Sequence, residues 1–355
     1  MNNRNANGAG RAESQNEDGF TLIEVLVAVA ITLILMGSVF GLLTKGQDSF
    51  RREHQVADMQ MSTRGGLQLV SRDLTMAGYR TPSSAAILWN DGGGIEPDEL
   101  TIVYADPDVP LSRPLQCGTA GAGGGGGPCG TIGQSATLFL DPAALDLTME
   151  TAEGAYDDGM VLAAIETADC NGDGLVGIFP FQVTQPPTMT SAGGSDTLNM
   201  NHNPGSLGSD LNRPGGFNGQ IREDCAVVGR FRIITYRVSP APPVGNPTLE
   251  RRDLTESAAW ISVAHNIENF QVRYGSGVDV ALVDVPLVPP TDDPLTWINR
   301  VDVTITGRTE STRLQGSSEG IFDPEDIYVR KTLSSQVGLR NVINEAANRS
   351  IEPTN

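Results

Sequence analysis

Phe20-Thr-Leu-Ile-Glu24-Val-Leu-Val-Ala-Val-Ala-Ile-Thr-Leu-Ile-Leu-Met-Gly-Ser-Val-Phe-Gly-Leu-Leu43 is an apolar run with one ionisable side chain, Glu24, near its start. A helix needs roughly 20 such residues to cross the hydrocarbon of a bilayer, so the run is long enough to span one. The next charge is Lys45. Burying a lone carboxylate in hydrocarbon costs several kcal/mol, so Glu24 is expected to have a partner and a function. Residues 1–19 are polar, rich in Asn, Gly and Ala, and contain no apolar stretch. They therefore lack the apolar region of an ordinary secretory signal.

The helical pattern continues past the apolar run. Val56, Met59, Thr63, Gly66, Leu67, Val70, Leu74 and Ala77 recur at steps of mostly three and four, one stripe of an α-helix, while Arg51, Arg52, Asp58, Arg64 and Arg72 fall on the other side. A helix over 20–77 would be about 87 Å long at about 1.5 Å per residue. Such a length is stable only if its first half is covered by lipid or by other helices. Two readings compete for Gly65-Gly66: a weak point costing about 1 kcal/mol per glycine, or a place where another backbone comes close. Gly78 reads as the C-terminal cap.

The motif Gly19-Phe20-Thr21-Leu22-Ile23-Glu24 followed by an uninterrupted apolar helix resembles the signal of type IV prepilins. The resemblance implies cleavage by prepilin peptidase between Gly19 and Phe20 and methylation of the new amino terminus on Phe20. It also implies that Glu24 serves assembly by pairing with the amine of a neighbouring subunit, which agrees with the rule that a buried carboxylate is tolerable only when paired. Family leaders carry Lys or Arg just before the Gly, where this chain has Glu17 and Asp18; Arg4 and Arg11 supply the leader's positive charge. The segment Ser71-Arg72-Asp73-Leu74-Thr75-Met76-Ala77-Gly78-Tyr79-Arg80 resembles the PilW group of minor pilins and the related J-type pseudopilins of type II secretion. The fragments 266–275, 297–308 and 337–341 resemble the C-terminal half of the same group.

The expected fold is α+β, a type IV pilin fold in which a long N-terminal helix packs on an antiparallel sheet. Its expected divisions are a leader over 1–19, the helix over 20–79 with a membrane span at about 20–43, and a β-rich head over 80–355. Alternation of period two marks strands at Leu100-Ile102-Tyr104, Phe231-Ile233-Thr235, Phe270-Val272-Tyr274 and Val301-Val303-Ile305, with Gln271, Arg273, Asp302 and Thr304 facing out. Continuous apolar runs at 137–140, 160–165 and 176–183 suit more buried strands. Gly- and Pro-rich stretches at 118–128, 185–219, 240–247 and 286–294 read as surface loops, and 341–348 as a second, weaker helix.

Charge and cysteine usage bound the function. With 43 acidic and 24 basic residues the formal net charge is -19. A surface this acidic repels phosphate backbones, so no nucleic-acid partner is expected. In an exported head the four cysteines default to disulfides. Cys117 and Cys129 bracket the glycine run and pair as a short loop, leaving Cys170 with Cys225, although crossed pairings remain open.

Asp169, Asn171, Asp173 and Leu175 follow the first half of an EF-hand-type loop, with Gly174 at the turn. Pro180 stands where the bidentate Glu is expected, so Ca²⁺ would need Glu166 or Asp157 as a further ligand. The competing reading is a hairpin turned by Asn171-Gly172 and Asp173-Gly174. Apart from this Ca²⁺ reading, no cofactor is required.

Catalytic signals fail on context. Gly316-Ser317-Ser318-Glu319-Gly320 has the spacing of a nucleophile elbow, but no His follows it. The glycines at 123–127 lack the Lys-Ser/Thr of a phosphate loop, and His54, His202 and His265 lack metal-ligand spacing. The chain is therefore not expected to be an enzyme.

The resemblance implies a minor type IV pilin that primes or caps pilus assembly and supports adhesion or motility. Its implied partners are the major and minor pilins, met through the N-terminal helix, prepilin peptidase and the inner-membrane assembly platform. It would sit in the inner membrane by a single span with its head exported to the periplasm, then on the pilus at the cell surface. Two alternatives share the motif: a minor pseudopilin of a type II secretion system, and a tip adhesin whose ligand site lies in the 185–219 insertion.

Overall fold

The structure is a computed structural model. It describes residues 20–94, 96–115, 137–141, 154–167, 176–192, 195–204, 211–212, 217, 221, 225–239, 246–257, 259–278, 281–286, 293–310 and 328–351. The chain divides into two units, residues 1–54 and 55–355. One helix, α1 (Leu22–Met76, 55 residues), runs through both. In the first unit the described side chains of the apolar run are all exposed. Its few hydroxyls satisfy themselves: Thr32 Oγ1 donates to the Ala28 carbonyl at 2.7 Å, Ser38 Oγ to Leu35 at 2.8 Å and Thr44 Oγ1 to Phe40 at 3.0 Å. Such internal bonding is what a helix needs where water is absent.

In the second unit the described strands are all antiparallel. β1 (Ile87–Asn90), β2 (Glu99–Ala105), β9 (Phe231–Val238), β10 (Thr248–Asp253) and β11 (Ile261–His265) form one sheet in the order β1-β2-β9-β10-β11. β12 (Ile267–Gly275), β13 (Arg300–Arg308) and β14 (Arg330–Gly338) form a second, with β13 central. The main core gathers Val70, Leu74 and Ala77 of α1 with Leu100, Ile102, Tyr236, Leu249, Phe270, Val303 and Ile305. This is the α+β class expected from the sequence.

The helix approaches the sheets closely at two glycines. A Cβ on Gly66 would lie 3.2 Å from Ala264 Cβ and from Leu249 Cδ2, and one on Gly307 would lie 2.2 Å from Thr63 Oγ1. The two readings of Gly65-Gly66 thus separate by residue. Gly66 is a contact glycine, and Gly65 has open space where its Cβ would be. Gly78 takes φ +76°, the left-handed conformation of a C-terminal cap. The second helix, α2 (Arg340–Ile351), supplies a distant cap: Asn341 Nδ2 donates to the Ala77 carbonyl at 3.1 Å and to that of Met76 at 3.4 Å.

Three expectations are corrected. First, 185–219 is not wholly irregular, because it holds the hairpin strands β6 (Thr188–Ala192) and β7 (Ser195–Asn201), which share register from Thr188↔Asn199 to Ala192↔Ser195. Second, β9 is apolar on both faces rather than one: Ile234 and Tyr236 enter the main core, whereas Phe231 and Ile233 pack with Val103, Ala163 and Ile165. Third, Asp302 lies on the outward face beside Arg273 as expected, but it is mostly buried there rather than solvent-exposed, with Arg273 Nη2 bonding its Oδ2 at 2.8 Å.

The second cover on β9 comes from an insertion. Ala105 at the end of β2 pairs with Phe231 at the start of β9, and Asp106 N donates to Arg230 O at 2.8 Å, so the chain leaves and returns at one point. The segment between them contains β3 (Thr137–Leu140), β4 (Val161–Glu166), β5 (Ile178–Gln182) and β8 (Ala226–Gly229) besides the β6–β7 hairpin. These make two three-stranded sheets, β3-β7-β6 and β5-β4-β8, around a core of their own that includes Leu138, Leu162, Phe181, Leu198, Met200 and Val228.

Candidate functional site

The apolar run predicts a working site at the start of α1. Gly19 lies outside the described residues; Phe20 and Thr21 precede the helix, and Phe20 is 86% exposed. Thr21 is the N-cap. Its backbone N–H and its hydroxyl both donate to Glu24 Oε2 at 3.0 Å, and the Glu24 N–H points back to Thr21 Oγ1 at 3.4 Å. This is the reciprocal capping box of Ser/Thr followed three residues later by Glu, which satisfies two otherwise orphan donors of the first turn. The signature Thr-Leu-Ile-Glu stands in the sequence, and reading Glu24 only as a partner for another subunit overlooks it. Among the described residues the hydrogen bonds to the Glu24 carboxylate all go to Oε2, from Thr21, and none to Oε1.

At the opposite end of α1 the Arg72-Asp73 pair splits between solvent and core. The Arg72 side chain is 71% exposed and that of Asp73 only 5%. Asp73 Oδ2 accepts from Tyr236 Oη at 2.6 Å and from Arg251 Nε at 3.1 Å. Burial pushes the Tyr236 hydroxyl above the ordinary phenol range, and the Asp73 charge and hydrogen bond push it further the same way, so it stays a donor. The helix end is thereby fastened to β9 and β10 by charge-assisted hydrogen bonds, about twice as strong as neutral ones. Spacing alone places Asp73 beside Leu74 without revealing that it is buried.

Of the residues suggested for Ca²⁺, Asp169, Asn171, Asp173 and Leu175 lie outside the described residues. Glu166 is buried, and its Oε2 accepts the Gly177 N–H at 2.7 Å. Among the described residues no group of three or more His, Cys, Asp or Glu side chains could hold a metal. Cys117, Cys129 and Cys170 also lie outside the described residues. Cys225 is disulfide-bonded, and its carbonyl accepts the Thr167 N–H at 2.9 Å. His202 is a packed histidine, buried between Phe181 and Phe217 at centroid distances of 5.6 and 4.7 Å, and burial lowers its pKa.

Comparison with known proteins agrees with the geometry of the amino-terminal region. Residues 14–40 match the family described as the prokaryotic N-terminal methylation motif. No curated protein matches the chain. Among solved structures the chain is similar to a type IV-like pilin from Thermus thermophilus, at 10% identity and a TM-score of 0.29, covering 81% of this chain and 98% of that one.

Proposed function

We propose that this chain is a minor type IV pilin, a non-catalytic filament subunit that primes or caps assembly. In this reading prepilin peptidase cuts between Gly19 and Phe20, and the methylated Phe20 amine becomes the new amino terminus, just ahead of α1. The observation that carries the reading is the match of residues 14–40 to the methylation motif, in register with the helix start and with Glu24. An apolar helix with its side chains exposed is consistent with membrane anchoring, and it has two suitable environments, the bilayer before assembly and a bundle of like helices afterwards. Glu24 hands one oxygen to its own Thr21 and presents the other to the amine of a neighbour.

Sheared filaments analysed by mass spectrometry test the proposal. The expected result is a chain that starts at methylated Phe20 and is present in few copies relative to the major subunit. Its recovery in a secretion apparatus instead of pili would assign it to the pseudopilins. The variant Glu24→Ala is expected to be inserted and cleaved yet to leave cells without filaments, and wild-type piliation in that strain would count against the pairing role.

A further inference from the structure

We propose that the outward face of the β3-β7-β6 sheet binds a neutral polysaccharide. The register sets Thr137 beside Asn201, Phe139 beside Asn199, Asn199 beside Thr188 and Thr197 beside Thr190. Alternation puts these residues opposite Leu138, Leu140, Leu198 and Met200, all fully buried in the insertion's own core. Thr188 and Thr190 are exposed and the others half-buried, so the face is open to solvent along β6.

Three features point to one ligand chemistry. None of the seven side chains is charged, in a chain with 43 acidic and 24 basic residues. The chain alongside β3 is joined to it by backbone bonds, Leu115 N donating to Phe139 O at 2.8 Å and Asp141 N to Arg113 O at 2.9 Å. A charged polymer would lose hydration against such a face without gaining an ion pair, whereas a hydroxyl-rich neutral chain loses little.

The amides are also oriented beforehand. Asn199 Nδ2 donates to Thr190 Oγ1 at 2.7 Å while its Oδ1 accepts from Thr197 Oγ1 at 3.3 Å. Asn201 Nδ2 donates to Gln185 Oε1 at 3.0 Å while its Oδ1 accepts from Thr137 Oγ1 at 2.7 Å. Each amide keeps a second N–H and a lone pair for a ligand hydroxyl, and side chains already held in place lose less entropy on binding. Finally, Phe139 sits half-buried on the edge strand β3 beside Asn199, where an aromatic ring suits the C–H face of a sugar ring. Five residues of β7 span about 16 Å at roughly 3.3 Å each, enough for a short oligosaccharide.

The inference goes beyond filament assembly and can be tested apart from it. Detergent-solubilised full-length chain is passed over insoluble neutral polysaccharides (β-glucan, mannan, chitin) and over an anionic one. Retention on at least one neutral polymer, unchanged by added salt, is expected. Thr190→Ala with Asn199→Asp should lower it about tenfold, the equivalent of about 1.4 kcal/mol. Thr188→Glu, at an exposed position of β6, should lower it likewise, and Lys331→Ala on β14 should not. No retention on any neutral polymer, retention only on the anionic one, or undiminished retention by Thr188→Glu would overturn the proposal. A chain absent from pili but still retained would remove the filament reading and leave this one standing.

Discussion

Between Leu22 and Leu43 the side chains of α1 are exposed, whereas between Gln55 and Met76 the same helix buries Met59, Thr63, Gly66, Val70, Asp73 and Leu74. The first stretch is apolar all round and the second is striped. An exposed Leu, Ile or Phe forgoes about 1.5–3 kcal/mol relative to full burial, so the first stretch must find its solvent outside the chain. The second finds it in β10, β11 and β13. The two stretches also contrast in how each holds its one critical carboxylate. Glu24 is tied locally, through one oxygen, by a residue three positions away. Asp73 is tied to residues 163 and 178 positions away.

The largest effect is expected where that contrast is sharpest. Asp73→Ala leaves the Arg251 guanidinium and the Tyr236 hydroxyl without their buried acceptor and should cost about 3–5 kcal/mol, read as a fall in the denaturant midpoint of the detergent-solubilised chain. A midpoint near wild type would mean that the second stretch is fastened by its apolar stripe alone. Gly307→Ala should follow at about 1–3 kcal/mol, because the new methyl meets Thr63 Oγ1 at 2.2 Å and the helix must move off β13.

At the other end, Thr21→Ala removes half of the capping box. About 0.5–2 kcal/mol of first-turn stability should be lost, visible as faster amide exchange at residues 22–25 with head stability unchanged. The smallest effect should come from the adjacent glycines. Gly65→Ala enters open space and should stabilise by about 1 kcal/mol. Gly66→Ala should show no such gain, since its methyl is already 3.2 Å from Ala264 and Leu249. Equal melting temperatures for those two variants would contradict the close approach.

Much of this helix is legible in the chain itself. An apolar run from Phe20 to Leu43, a stripe at steps of three and four and a glycine at 78 are local signals, and the structure returns a helix over Leu22–Met76 with Gly78 at φ +76°. The capping box was legible too, as Thr21 and Glu24 three residues apart. The strands around Phe270 and Val303 show in their alternation because only one side of each faces the core. β9 misleads the same reasoning, because the insertion covers its second face and leaves little polar residue pattern to alternate. The β6–β7 hairpin hides among Gly, Ser and Asn for another reason. Its outer face is built of Thr and Asn, residue types that also make loops.

What the sequence determined by itself is the amino-terminal apparatus: an apolar span, a single carboxylate at its start and a helix that must continue beyond it. Those properties depend on neighbours three or four residues apart, and periodicity records them. Tertiary structure alone decided which of two identical glycines touches the sheet, which of two adjacent charged residues is buried and which distant asparagine caps the helix. Those outcomes depend on where β9, β10, β13 and α2 come to lie against α1, and contacts across such sequence distances leave no local pattern to read.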